Sequence, residues 1–167
     1  MKIKEAYSFA EKAHEGQKRI NKEPYFMHPK RMFQLLRKKG ADSATLCAAL
    51  LHDLVEDTPV TLDEINKRFG KEVGFLVDGM TKISGDLEGT ARKFEKYSKK
   101  DRRLLLIKLA DLEENLSVLD FVKIIEKEKV KNKYLRFIDL LKRLSRTKLE
   151  KSWINELSKK AEKKFRD

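Results

Sequence analysis

The chain has 167 residues, 40% of them apolar and 40% charged, with 39 Lys and Arg against 27 Asp and Glu for a net charge of +12. This length predicts one domain, residues 1–167, that buries a core without staples, since domains of ~150 residues hide about two-thirds of their unfolded surface. A single cysteine excludes a disulfide scaffold, no run reaches the ~18 apolar residues of a membrane span, and the polar start Met1-Lys2-Ile3-Lys4-Glu5 lacks a signal core, so a cytoplasmic protein with no membrane partner is expected.

The bias toward Lys, Glu and Leu, with few aromatics, predicts an all-α fold of about nine or ten helices. Apolar residues at Ile3, Ala6, Tyr7, Ala10 and Ala13 predict a helix over 1–15 that Gly16 interrupts. Residues 17–28, with Asn21, Pro24 and Tyr25, read as an irregular loop. Pro29 is expected at the first position of the next helix, and Gly40 closes it. An Ala/Leu-rich helix spans 43–57, because Pro59 must end it; Cys47 on it reads as a buried, reduced thiol. Thr61 and Glu64 form a capping box for a short helix that stops at Gly70. Further helices are expected over 71–82, 91–98 and, with Asp101 as N-cap, 102–119; residues 83–90 form a loop between them. Two amphipathic basic helices follow, over 130–144 and 149–165.

Charge is uneven. Residues 120–167 carry 16 basic and 8 acidic side chains. Such a field attracts polyanions, but a solvated lysine-coated face gives the same count, so charge alone selects no function.

Polar groups inside apolar runs are more informative. The 43–57 helix buries Leu46, Ala48, Ala49, Leu50, Leu51, Leu54 and Val55, yet ends in His52, Asp53, Glu56 and Asp57. Carboxylates at a helix C-terminus oppose its partial negative charge by roughly 0.3 to 1 kcal/mol each, and more when desolvated. Three acids there call for a cation. Asp111 repeats the anomaly, since it shares a helical face with Ile107 and Asn115 inside the apolar run 104–110. His28, just before Pro29, is a second imidazole; His14 reads as a structural histidine. Two imidazoles and two carboxylates, His28, His52, Asp53 and Asp111, suit a divalent transition ion such as Mn²⁺, Fe²⁺ or Zn²⁺. Glu56 and Asp57 are then spare acids, able to take a proton from a water that such an ion polarises, which is metal-dependent phosphohydrolase chemistry.

The His52-Asp53 pair, with His28 before it and Asp111 after it, resembles the HD superfamily of metal-dependent phosphohydrolases. In order, Ala13-His14-Glu15-Gly16-Gln17-Lys18-Arg19, Pro24-Tyr25-Phe26-Met27-His28-Pro29, Leu51-His52-Asp53-Leu54-Val55-Glu56-Asp57-Thr58, Val77-Asp78-Gly79-Met80-Thr81-Lys82 and Ile107-Lys108-Leu109-Ala110-Asp111 are similar to the hydrolase domain of RelA/SpoT alarmone enzymes. With no room for a following synthetase domain, the chain looks like the stand-alone small alarmone hydrolases. The resemblance implies an HD helical bundle, a Mn²⁺ cofactor and hydrolysis of pyrophosphate from the 3′ position of guanosine tetra- or pentaphosphate (ppGpp), alarmones of the stringent response. Residue by residue it implies His28, His52, Asp53 and Asp111 as metal ligands, Glu56 and Asp57 as the water-activating pair, and Arg19 and Asn115 as nucleotide contacts.

The segment Leu112-Glu113-Glu114-Asn115-Leu116-Ser117-Val118 departs from the family's usual Arg, Leu, His, Asn, Met, Arg, Thr, Ile20 replaces a common basic residue, and Glu113 and Glu114 are expected to bring negative charge near a polyphosphate path. This motivates two alternatives. One keeps the metal and takes another nucleotide: an adenine alarmone, a nucleoside monophosphate or a phosphorylated dinucleotide. The other is a non-catalytic module whose basic C-terminal helices hold nucleotide or RNA; nucleic acid and oligomerisation both stay open.

Overall fold

A computed structural model describes residues 2–122 and 124–166, and among them every regular element is helical apart from one isolated bridge between Lys18 and Pro24. Ten α-helices and one 3₁₀ turn run in the order α1 (Ile3–Ala13), α2 (Met27–Lys38), α3 (Ser43–Leu51), α4 (Leu54–Asp57), α5 (Leu62–Phe69), α6 (Lys71–Met80), α7 (Leu87–Lys100), α8 (Arg103–Ser117), the 3₁₀ turn (Leu119–Phe121), α9 (Ile124–Leu144) and α10 (Lys148–Arg166). The predicted all-helical class holds. Met1, first residue of the predicted opening helix, lies outside the described residues.

The helix boundaries follow local chemistry. Asp42 caps α3 by accepting from the Thr45 N–H, Thr61 caps α5 through Glu64, and Asp86 caps α7 through Gly89. The last cap starts α7 well before the predicted residue 91. The N-cap of α8 is Arg102 rather than the predicted Asp101, which still supports the helix start from one residue earlier, its Oδ1 accepting from the Arg103 N–H at 3.0 Å. α9 likewise begins earlier than its predicted start at 130. Gly70, at φ +94°, lets the chain leave α5 and enter α6 without a break. Pro29 sits at the third position of α2 rather than the first, still inside the first turn, where its missing N–H has no intrahelical partner to lose.

The predicted 43–57 helix is two helices. α3 stops at Leu51 and α4 restarts at Leu54. The His52 ring donates from Nδ1 to the Ala49 carbonyl at 3.0 Å, the acceptor that an unbroken helix assigns to the Asp53 N–H. The side chain thus competes with the ladder where the His52-Asp53 pair sits.

α3 and α8 form the centre. α3 packs on α1, α2, α6 and α8, while α8 also meets α2, α6, α7 and α10. One cluster of buried apolar side chains runs from Ala6 to Ala161, and Cys47 lies within it. Because α3 is apolar on every side, polar atoms that begin at its C-terminal end open into a dry interior. Among the described residues no helix is long and apolar enough to cross a membrane.

Candidate metal centre and nucleotide cleft

His52 and Asp53 leave the end of α3, His28 comes from the first turn of α2, and Asp111 from the middle of α8. All four are buried. His28, His52 and Asp53 each offer a ligand atom, and these atoms lie within 4.8 Å of one another. Asp111 adjoins the group, with Oδ1 3.5 Å from His28 Nε2. The imidazoles face each other with ring centroids 5.2 Å apart.

The donor set fits a divalent cation. The His52 Nδ1–H is committed to Ala49, which turns Nε2 toward Asp53 Oδ1, 3.1 Å away. That Nε2 is buried without a hydrogen-bond partner, as is His28 Nδ1. A ring nitrogen anchored on a backbone carbonyl, with the other left bare, is how a ligating histidine is held.

Electrostatics make the same point. Burial works against ionising Asp53, but the His52 ring, with His28 and Lys82, reverses this and holds its carboxyl well below the usual range. Burial opposes ionisation of Asp111 too, and the Lys108 ammonium at 2.7 Å overrides it, again leaving a low pKa. Burial lowers His52, and the Asp53 and Asp111 carboxylates with the Ala49 carbonyl together outweigh it, so that its pKa is raised. The two carboxylates are thus held in the form that would ligate a divalent ion.

The acidic pair divides. Glu56 turns to the end of α6, where it accepts from the Lys82 N–H at 2.7 Å and from Lys82 Nζ at 2.5 Å. Asp57 accepts from the Tyr25 hydroxyl at 2.7 Å, and the same hydroxyl lies 2.9 Å from Asp53 Oδ2. Neither acid belongs to the ligand group.

Over the cluster opens a cleft of about 370 Å³. Its lining joins His28, Asp53 and Asp111 to Lys82, Lys108, Lys133 and Tyr134 on one side. Lys108 is itself buried, with its Nζ 4.3 Å over the Phe137 ring. Ile20, Leu112, Val118, Val122 and Val130 add apolar wall, alongside Lys18 and Tyr25. Arg19 and Asn115 also line it; Arg19 Nη2 donates to Asn115 Oδ1 at 3.1 Å and Asn115 Nδ2 donates to Asp111 Oδ1 at 2.6 Å. A hydrogen-bonded row thus links the metal cluster to the guanidinium.

Sequence reasoning left open whether Lys82, Lys108 or Tyr134 reaches bound phosphates, and it assigned no part to Tyr25 or Lys133. Lys108 carried a signal, since it lies three residues before Asp111 on one helix face. Lys133 carried none, because only the packing of α9 against α7 and α10 brings it to the cleft. The expectation for Glu113 and Glu114 is corrected. Glu113 points to α10, accepting from Trp153 Nε1 at 2.7 Å and Lys160 Nζ at 2.9 Å. Glu114 is matched by Arg31 at 2.6 Å, with Arg19 3.9 Å away. A helix surface offers adjacent residues to different neighbours, so neither acid lines the cleft.

Residues 6–144 match the sequence profile of the HD domain. The chain belongs to the HD domain family. This HD domain is 43% identical over 133 residues to a GTP pyrophosphokinase of Streptomyces antibioticus, covering 76% of the chain and 16% of that protein. It is 42% identical over 123 residues to a guanosine-3′,5′-bis(diphosphate) 3′-pyrophosphohydrolase of Aquifex aeolicus, covering 70% of the chain and 18% of that protein. The HD domain thus spans less than a fifth of the length of these curated relatives. Its fold is similar, with a TM-score of 0.77 at 28% identity, to a solved metazoan ortholog of SpoT that hydrolyses ppGpp and plays a role in starvation responses; the match covers 99% of this chain and 94% of that one. The RelA/SpoT-type resemblance carried by the ordered motifs is borne out by these relatives.

The loop that presents Arg19 depends on a charge cluster. Arg31 donates to Glu23 from Nη1 at 3.1 Å and Nη2 at 2.5 Å, which lowers the Glu23 pKa to about 2. A carboxyl depressed by folding contributes stability above its unfolded pKa that disappears as pH falls through the folded one. The Glu23 contribution is therefore whole at neutral pH and lost between about pH 4.5 and 2. Glu23→Gln is expected to cost on the order of 1–2 kcal/mol at neutral pH and much less in acid. Urea midpoints of both proteins at neutral and acid pH check this; an equal gap at both would refute it.

Proposed function

We propose that residues 1–167 act as one metal-dependent hydrolase that removes pyrophosphate from the 3′ position of ppGpp, with His28, His52, Asp53 and Asp111 holding Mn²⁺. The observation that carries this reading is the convergence of two imidazoles and two low-pKa carboxylates from three helices on one point of a lysine-lined cleft. When bound, a divalent ion supplies Lewis acidity to a water and to a phosphoryl oxygen.

The chain's own residues do the rest. Lys82, Lys108 and Lys133 bring three ammonium groups to one side of the cleft, and there they meet the charge of the 3′ diphosphate. Arg19, steadied by Asn115, offers a planar cation as a platform for the base. Glu56 and Asp57 accept the proton released as water attacks the phosphorus on the ribose 3′ oxygen. Glu56 also fixes Lys82 through its N–H and its Nζ. The phosphorus–oxygen bond to the ribose breaks, the 3′ oxygen takes a proton, and pyrophosphate and guanosine 5′-di- or triphosphate remain.

The likeness of the fold to a metazoan SpoT ortholog that hydrolyses ppGpp supports this choice of substrate. One observation favours a second reading, the same chemistry on another nucleotide: Leu112 and Val118 place apolar surface in the cleft where the family carries polar side chains. Purified protein with Mn²⁺ is expected to release pyrophosphate from ppGpp. No release under metal-replete conditions overturns the proposal, and turnover confined to another nucleotide in a parallel panel selects the second reading.

A further inference from the structure

The Tyr25 hydroxyl has one proton to donate and two carboxylates in reach, Asp53 Oδ2 at 2.9 Å and Asp57 Oδ2 at 2.7 Å. Both carboxylates can only accept, so the phenol acts as donor.

The ring is held from behind. It stacks on His14 with centroids 4.6 Å apart and planes 28° from parallel. Gln17 Nε2 donates to the Asp57 main-chain carbonyl at 2.8 Å. The other end of that amide, Oε1, must therefore accept, and it does so from buried His14 Nδ1 at 2.8 Å. Two segments before α2 thus close on Asp57 from both sides, Gln17 on its backbone and Tyr25 on its carboxylate.

We propose that Tyr25 is a positioning residue that couples occupation of the His/Asp cluster to the orientation of Asp57. This rests on the reading of Asp57 as one of the water-activating acids. Without a cation, Asp53 and Asp57 compete for the single hydroxyl proton. Once the charge of Asp53 is met by a cation, the proton goes to Asp57 Oδ2, and the other carboxylate oxygen is left to accept from water.

The sign of the expected effect separates this role from simple support. Removing the hydroxyl deprives the cation-free protein of a donor to two acids, and the cation-bound protein of a donor to one. Tyr25→Phe is therefore expected to bind Mn²⁺ as tightly as the parent or a few-fold tighter. Its kcat for pyrophosphate release falls about ten-fold or more at unchanged KM, the scale of lost orientation at a reacting group.

The test titrates Mn²⁺, by its EPR signal, into metal-stripped parent, Tyr25→Phe, Asp57→Ala and the double variant, and measures pyrophosphate release beside it. Coupling predicts that the effect of Asp57→Ala on Mn²⁺ affinity shrinks in the Tyr25→Phe background, and that the double variant is no slower than Asp57→Ala. Additive effects, weaker Mn²⁺ binding by Tyr25→Phe, or an undiminished kcat overturn the proposal. The titration needs no turnover, so a parent inactive on ppGpp overturns the functional reading while the affinity cycle still judges the coupling.

Discussion

Asp53→Ala is expected to abolish metal retention and, with it, turnover. Asp53 is buried with one oxygen 3.1 Å from His52 Nε2 and the other 3.6 Å from His28 Nε2 and 2.9 Å from the Tyr25 hydroxyl. Partners one step removed from a metal already govern about 10- to 100-fold in affinity, so loss of a ligand exceeds that range. Elemental analysis of the purified variant, beside pyrophosphate release, measures both effects; a full equivalent of retained metal would sink the ligand assignment. Asp53 is a cleaner choice than Asp111. Removal of Asp111 strands Lys108 as a buried cation, and breaking such a pair costs about 3–5 kcal/mol, so loss of metal and loss of folding would be confounded.

Glu56→Gln should separate chemistry from binding. Glu56 lies outside the ligand group, so the variant is expected to keep its metal. The amide oxygen can still accept from the Lys82 N–H, but the ion pair to Lys82 Nζ and the basic site are gone. A rate loss of ~100-fold or more is expected, the scale of a general base, with folding close to that of the parent. Metal content, thermal midpoint and kcat on one preparation decide it. A normal rate would remove Glu56 from the mechanism and leave proton transfer to Asp57 alone.

The basic C-terminal third shows how a charge count resolves into roles. Arg136 pairs with Glu88, Lys160 with Glu113 and Lys164 with Asp120, while Lys133 lines the cleft. Part of the excess is thus matched within the fold, and part of it faces the proposed substrate.

Local order in the sequence determined the helical class, the Thr61 cap, and the choice of His28, His52, Asp53, Asp111, Glu56 and Asp57 as candidates. Each of these stands out by breaking an apolar pattern or completing an ordered motif, and such signals survive in one dimension because helical periodicity records which face of a segment is buried. Tertiary structure alone decided how those faces meet. It split the 43–57 helix at His52, where a ring hydrogen bond to Ala49 competes with the backbone. It also turned Glu113 toward α10, brought Lys133 and Tyr134 over the cleft, and set one tyrosine hydroxyl between two acids. The physical reason is that periodicity carries no information about interhelical angle and register, and those fix which side chains from distant segments come within hydrogen-bond reach.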